Sequence, residues 1–218
     1  MRVCFICAEY APYAKTGGLG DVAAALTAEL TRAGHEVLSF IPLHGQINLR
    51  GAHVEPVEAL QRLTLAIGAR EFVYDVKCAR RPGAAAAVHL IDCPALFDRP
   101  QLYSDGPDEY LRYLMLTRAA LESCQRLGFA PDIVHCHDWQ TALAPVMLRA
   151  TAALYPELRR TRLVQTVHNL AYQGIFDKSW VPRLGLGWND FTIQGFEYWD
   201  RLSFLKAGIN LADAVTTV

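Results

Sequence analysis

The stretch that decides the fold is residues 2–42, RVCFICAEYAPYAKTGGLGDVAAALTAELTRAGHEVLSFIP. Residues 2–8 are a continuous apolar run of strand length, as in a strand buried on both faces of a parallel sheet. A glycine-rich turn follows at 16–20. Asp21 then opens an Ala/Leu-rich helix that reaches Arg32 and stops at Gly34. Residues 36–41 form the next strand, ended by Pro42. This strand, helix, strand order is a βαβ unit.

The alternation continues outward. Residues 43–60 are mixed and read as loop. Residues 62–67 and 72–79 alternate apolar with polar around a Gly68-Ala69-Arg70 turn, which predicts a β-hairpin. Residues 88–93 are a strand, and 94–107, with three prolines and Gly106, a loop. A helix spans 108–127, a strand 132–135, a helix 141–154 and a strand 162–167. An irregular stretch runs to about residue 200, then a helix over 202–211 and a strand over 214–218. The whole chain, residues 1–218, therefore reads as one α/β domain: a Rossmann-like three-layer α/β/α arrangement with a mainly parallel sheet.

Composition narrows the function classes. The 218 residues are 52% hydrophobic and 20% charged, so a real core forms and global disorder is excluded. Net charge is −1, which gives no electrostatic case for a nucleic acid or an anionic membrane as partner. No apolar run approaches the roughly 18 residues of a membrane span. The first residues lack the charged region and cleavage site of a signal peptide, so the expected location is cytoplasmic. Six cysteines lie in apolar surroundings and read as buried thiols. Cys4 and Cys7 form a C-x-x-C pair, but strand geometry sends them to opposite faces. The chain ends on a β-branched run, ADAVTTV, at 212–218; it reads as a fragment of something longer.

In parallel sheets ligands bind beyond the C-terminal ends of the strands, and three loops there carry chemistry. The first is Lys15-Thr16-Gly17-Gly18-Leu19-Gly20-Asp21. Its glycines let backbone approach a ligand, the helix N–H groups behind it favour an anion, and Lys15 adds a charge. A phosphate or pyrophosphate fits. The order is neither a P-loop nor G-x-G-x-x-G, and the second strand ends Ser39-Phe40-Ile41-Pro42-Leu43, without an acid for a ribose diol.

The second loop is His135-Cys136-His137-Asp138-Trp139-Gln140. Alternation puts His135 and His137 on one side, a spacing that His168 would extend toward a metal site, although no further ligand stands at a recognisable interval. A substrate-contacting Asp138, with His135 tucked in the sheet, is the preferred reading. The third loop is Thr166-Val167-His168-Asn169-Leu170-Ala171-Tyr172-Gln173-Gly174, whose His and Asn suit sugar hydroxyls.

Together, K-T-G-G-L-G-D-V, H-C-H-D-W-Q-T-A-L, T-V-H-N-L-A-Y-Q-G, the opening Ala8-Glu9-Tyr10-Ala11-Pro12 and Ser203-Phe204-Leu205-Lys206-Ala207-Gly208 resemble the signature segments of the bacterial glycogen synthase and plant starch synthase family. The resemblance runs in order from residue 2 to 218. It implies the N-terminal half of a GT-B glycosyltransferase, whose second, nucleotide-binding domain is not in this chain. It further implies a retaining enzyme that moves glucose from ADP-glucose to the non-reducing end of an α-1,4-glucan such as glycogen, with no metal and no cofactor. By the same resemblance, Lys15, Gly17 and Gly18 contact the donor phosphates. Asp21 and His168 hold glucose hydroxyls, with Asn169 adjacent, and the His168 carbonyl faces the developing oxocarbenium charge. Asp138 lies near the acceptor or reacting centre, and Tyr103 and Trp139 line the acceptor side of the cleft.

The sequence departs from the family where Asp108-Glu109 precedes Arg112-Tyr113 in place of an Asp-Asn and Arg-Phe pairing. The 43–60 segment also lacks the family's basic-aromatic pattern. The cationic side chains that the family's second domain places on the pyrophosphate are absent, so the domain alone is expected to be inactive. Two other classes stay open on the residues: a glucan-binding module without turnover, and a metal hydrolase built on His135, His137 and Asp138.

Overall fold

The computed structural model describes residues 1–106, 108–150 and 155–218. The first strand, β1 (Arg2–Ile6), leads through a loop into helix α1 (Gly18–Arg32) and strand β2 (Glu36–Pro42). Then come β3 (His53–Pro56), β4 (Leu63–Ile67), β5 (Arg70–Arg80) and β6 (Val88–Asp92). A single helical turn, α2 (Pro94–Phe97), precedes the long α3 (Glu109–Arg126). The second half holds β7 (Ile133–His137), α4 (Asp138–Thr141), α5 (Ala144–Ala150), β8 (Arg162–Val167), β9 (Ile175–Asp177), β10 (Glu197–Tyr198), β11 (Arg201–Ser203), α6 (Phe204–Leu211) and β12 (Ala214–Thr217).

The main sheet has the order β12-β8-β7-β1-β2-β6-β5-β3, with β4 on β5. The pairs from β12 to β6 are parallel; those involving β3, β4 and β5 are antiparallel. Alternation along β1 separates two cores. Cys4, Ile6 and Ala8 face the larger one with α3, α5 and α6, whereas Phe5 and Cys7 face the smaller one with Leu19 and Ala23 of α1. That makes three layers, as expected, and places Cys4 and Cys7 on opposite faces; all six cysteines are free. The chain runs from β1 outward through β2 and β6, then returns to lay β7 on the other side of β1. This reversal is a topological switch point, and a crevice opens there beyond the strand ends.

The structure corrects several expected boundaries. The 43–60 segment contains β3, whose residues pair with β5 at a sheet edge where burial is partial and leaves little apolar pattern. The strand expected at 132–135 runs on to His137. The helix expected at 141–154 is divided into α4 and α5, and residues 151–154 lie outside the described residues. The stretch after β8 is not irregular throughout: β9, β10 and β11 form a small antiparallel sheet. That sheet takes residues 201–203, so α6 starts at Phe204, with the Ser203 hydroxyl accepting from the Lys206 N–H. All four residues of β12, Ala214, Val215, Thr216 and Thr217, are exposed.

Candidate functional site

The loop after β1 is built around a carboxylate. Glu9 is buried in the loop just beyond β1, so its charge needs partners. Oε2 accepts from the backbone N–H of Thr16 at 2.8 Å and of Gly17 at 3.3 Å. Oε1 accepts from the Thr16 hydroxyl at 2.6 Å and the Tyr103 hydroxyl at 2.7 Å. Burial alone would raise the Glu9 carboxyl, but these bonds outweigh it and hold it below the ordinary glutamate range. The glycine loop thus carries an internal anion at its entry. The first-turn N–H groups of α1 from Gly18 onward, which no side chain caps, remain as donors for an external one.

Across the crevice, β7 passes directly into α4 at Asp138, whose φ of +52° makes the strand-to-helix turn in one residue. Aspartate tolerates this left-handed conformation better than most residues. Its Oδ1 accepts from the backbone N–H of His168 at 2.7 Å and of Asn169 at 3.2 Å, so the loop after β8 hangs from the loop after β7. Burial raises the Asp138 carboxyl above its ordinary value, against the opposing effect of those two N–H groups. Burial also lowers the half-buried His168, despite the nearby carboxylates of Asp138 and Glu9. The imidazole is therefore neutral at pH 7.

The third wall is the segment 101–106. Its anchor is an ion pair without solvent: Arg112 and Glu109 meet at 2.8 Å with side chains 0% and 5% exposed. Glu109 also accepts from the Ser104 N–H at 3.1 Å and hydroxyl at 2.7 Å, while Arg112 donates to the Leu96 carbonyl at 3.0 Å. Asp108 pairs with Arg99. The departure noted at 108–113 therefore forms a framework holding the Tyr103 segment over the crevice. The floor is Trp139, edge-on to Tyr113 at 5.2 Å. Gly174, at φ +59°, lies flat against it; a Cβ there would stand 2.8 Å from Trp139 Cδ2. Gly208 allows a similar approach, since its Cβ would meet Gln165 Oε1 at 2.6 Å.

These walls enclose a cavity of about 680 Å³. Of the residues singled out from sequence, Gly17, Gly18, Tyr103, Asp138, Trp139, His168 and Asn169 all line it. Lys15 and Asp21 are not among its lining residues: they form an exposed ion pair with each other at 2.6 Å. Glu9 was missed as a site residue, and the signal for it was an acid ending an apolar strand just before a glycine-rich turn. Among the described residues no group of three or more His, Cys, Asp or Glu is arranged to hold a metal ion. His135 instead bonds the Thr166 hydroxyl at 2.7 Å, and His137 bonds His168 at 3.0 Å. Among the described residues no helix is long and apolar enough to cross a membrane.

The fold and the site define the class: a Rossmann-like α/β domain with a polar and aromatic cleft at its switch point. The model of the starch synthase catalytic domain matches residues 2–218. A glycogen synthase of Anaeromyxobacter dehalogenans is 45% identical over 223 aligned residues, covering 100% of this chain and 45% of the relative. A glycogen synthase of Myxococcus xanthus is 42% identical, with 100% and 46% covered. The catalytic domain of starch synthase IV from Arabidopsis thaliana, solved bound to ADP and acarbose, superposes with a TM-score of 0.89 at 32% identity, over 100% of this chain and 44% of that one. The chain belongs to the starch synthase catalytic domain family. It spans about 45% of the length of the curated relatives it matches.

Proposed function

We propose that this chain is the acceptor-side half of a retaining glucosyltransferase that moves glucose from ADP-glucose to the 4-hydroxyl at the non-reducing end of an α-1,4-glucan, glycogen being the natural acceptor. The carrying observation is the meeting of three strand-end loops on one cavity: Glu9 organises the glycine loop, and Asp138 holds His168 and Asn169.

In this reading the donor diphosphate meets the first turn of α1 at Gly17 and Gly18, where uncapped N–H groups and the helix dipole offset its charge. Lys15 and Asp21 stand at the outer rim as a preformed pair; donor binding draws Lys15 to the phosphates and frees Asp21 for a sugar hydroxyl. His168 and Asn169 bind glucose hydroxyls, and the His168 carbonyl faces the positive charge that develops at the anomeric carbon. Asp138 stays behind them and keeps their backbone in place. Tyr103 and Trp139 form the acceptor side. The chemistry uses no metal and no resident cofactor. A second domain, supplied by the rest of a polypeptide about twice this length, closes the cleft and adds cations to the leaving diphosphate. A cytoplasmic location agrees with six unpaired cysteines.

The test is incorporation of labelled glucose into a glycogen primer by the two-domain protein, with ADP-glucose and UDP-glucose compared as donors. Transfer from ADP-glucose supports the reading, and preference for UDP-glucose corrects the donor. Glucan retention without transfer from either donor replaces the enzyme with a glucan-binding module.

A further inference from the structure

His137 belongs to the H-C-H-D segment, yet nothing so far gives it a task. It is 0% exposed, and its ring lies 4.2 Å from that of His135 and 4.3 Å from that of Phe5, centroid to centroid. Nδ1 is 3.0 Å from Nε2 of His168. Nε2 is buried and has no hydrogen-bond partner among the described residues. Burial, with His135 and His168 close by, keeps the ring neutral. It therefore carries one proton, on one of two nitrogens.

The unpartnered nitrogen decides which. A proton on Nε2 would bury an N–H with no acceptor, the rarer and costlier kind of orphan. A proton on Nδ1 leaves only a bare lone pair at Nε2 and makes the 3.0 Å contact a bond donated by His137 to Nε2 of His168. His168 Nε2 is then an acceptor, and the neutral His168 must hold its own proton on Nδ1. That nitrogen has no protein partner among the described residues, and His168 lines the cavity.

We infer that His137 is a positioning residue that fixes His168 in the Nδ1–H tautomer and so presents a hydrogen-bond donor to an oxygen acceptor of the bound sugar. The inference deepens the proposed function and rests on it only for the identity of that acceptor. Asp138 and His137 are neighbours with complementary tasks: one holds the His168 backbone through its N–H, and the other sets the ring. The bond to His168 gives position 137 a reason to hold a histidine, since the His137 ring makes no other side-chain hydrogen bond among the described residues.

Two measurements test it. Long-range ¹H–¹⁵N spectra of the imidazoles in this chain at pH 7 should show Nδ1 protonated and Nε2 bare in both His137 and His168. A protonated Nε2 on His168 overturns the inference, whatever the protein catalyses. His137→Phe keeps ring volume and removes the buried orphan, so the fold should hold while the His168 tautomer is released. His137→Asn, whose amide N–H reaches the same place as Nδ1–H, should restore it. In the two-domain protein His137→Phe should lower kcat by about tenfold with little change in donor KM, the scale of one hydrogen bond, and His137→Asn should recover most of the loss. An unaltered His168 tautomer in His137→Phe also overturns the inference. Absence of any transfer by the wild-type two-domain protein defeats the proposed function and leaves the tautomer result standing.

Discussion

The hydroxyl of Tyr103 donates to Oε1 of Glu9 at 2.7 Å, tying the segment over the crevice to the loop that follows the first strand. The same carboxylate holds the glycine loop through Thr16 and Gly17. One buried charge therefore sets the relative positions of two cleft walls.

Glu9→Gln turns an acceptor-only group into one with donors facing donors. It should cost about 2–3 kcal/mol at pH 7, the scale of hydrogen bonds to a charged group. The Glu9 carboxyl is depressed in the folded chain. Its contribution is therefore complete above the unfolded value of roughly 4.3 and fades as pH falls through the lower folded value. Urea unfolding from pH 7 to pH 3 should show wild type and variant converging below about pH 4. Equal stability at pH 7 would sink this account of the loop.

Arg112→Met leaves the Glu109 carboxylate buried without its partner. A loss of about 3–5 kcal/mol is expected, and replacing Glu109 by Leu in the same chain should recover much of it. Denaturant midpoints of the single and double variants decide the matter; a mild single variant would mean that Glu109 finds another cation.

Gly174→Ala forces a Cβ into Trp139 at a backbone angle that disfavours side chains. The expected cost is about 2–4 kcal/mol, overpacking and strain together. Thermal unfolding of the variant measures it, and a loss below about 0.5 kcal/mol, the scale of neutral surface changes, would show that the Trp139 floor moves freely.

In the two-domain protein, Lys15→Ala and His168→Ala should separate. Lys15 forms an exposed pair whose loss leaves the fold intact, since such pairs contribute about 0–1 kcal/mol. Its variant should raise the donor KM. His168→Ala should chiefly lower kcat. Steady-state glucose transfer at varied ADP-glucose gives both constants; an unchanged donor KM in Lys15→Ala would place the phosphates elsewhere.

Asp138→Ala releases both N–H groups that hold the His168 loop, whereas Asp138→Asn keeps an acceptor at Oδ1. The alanine variant should lose about 100-fold or more in kcat in the two-domain protein, as for displaced catalytic geometry, and the asparagine variant much less. Equal losses would mean that the Asp138 charge acts directly on the substrate.

Much of this molecule is legible in its residues. The apolar run of residues 2–8, the glycine turn and the Ala/Leu helix specify a parallel sheet with helices on both faces, because period and turn chemistry are local properties. The three strand-end motifs likewise mark the crevice, since ligand sites in such sheets follow the strand ends. The small sheet of β9, β10 and β11 was not legible, because its strands are two or three residues long and leave no period to detect.

The sequence by itself determined the class of fold and seven of the residues that line the cleft. Tertiary structure alone decided what each does to its neighbour. It pairs Lys15 with Asp21, sets Glu9 beneath the glycine loop and joins His137 to His168. The reason is the range of the forces. Backbone preference and hydrophobic periodicity act over a few residues and are written along the chain. A hydrogen bond needs two atoms within about 3 Å, and only the assembled sheet brings those atoms together.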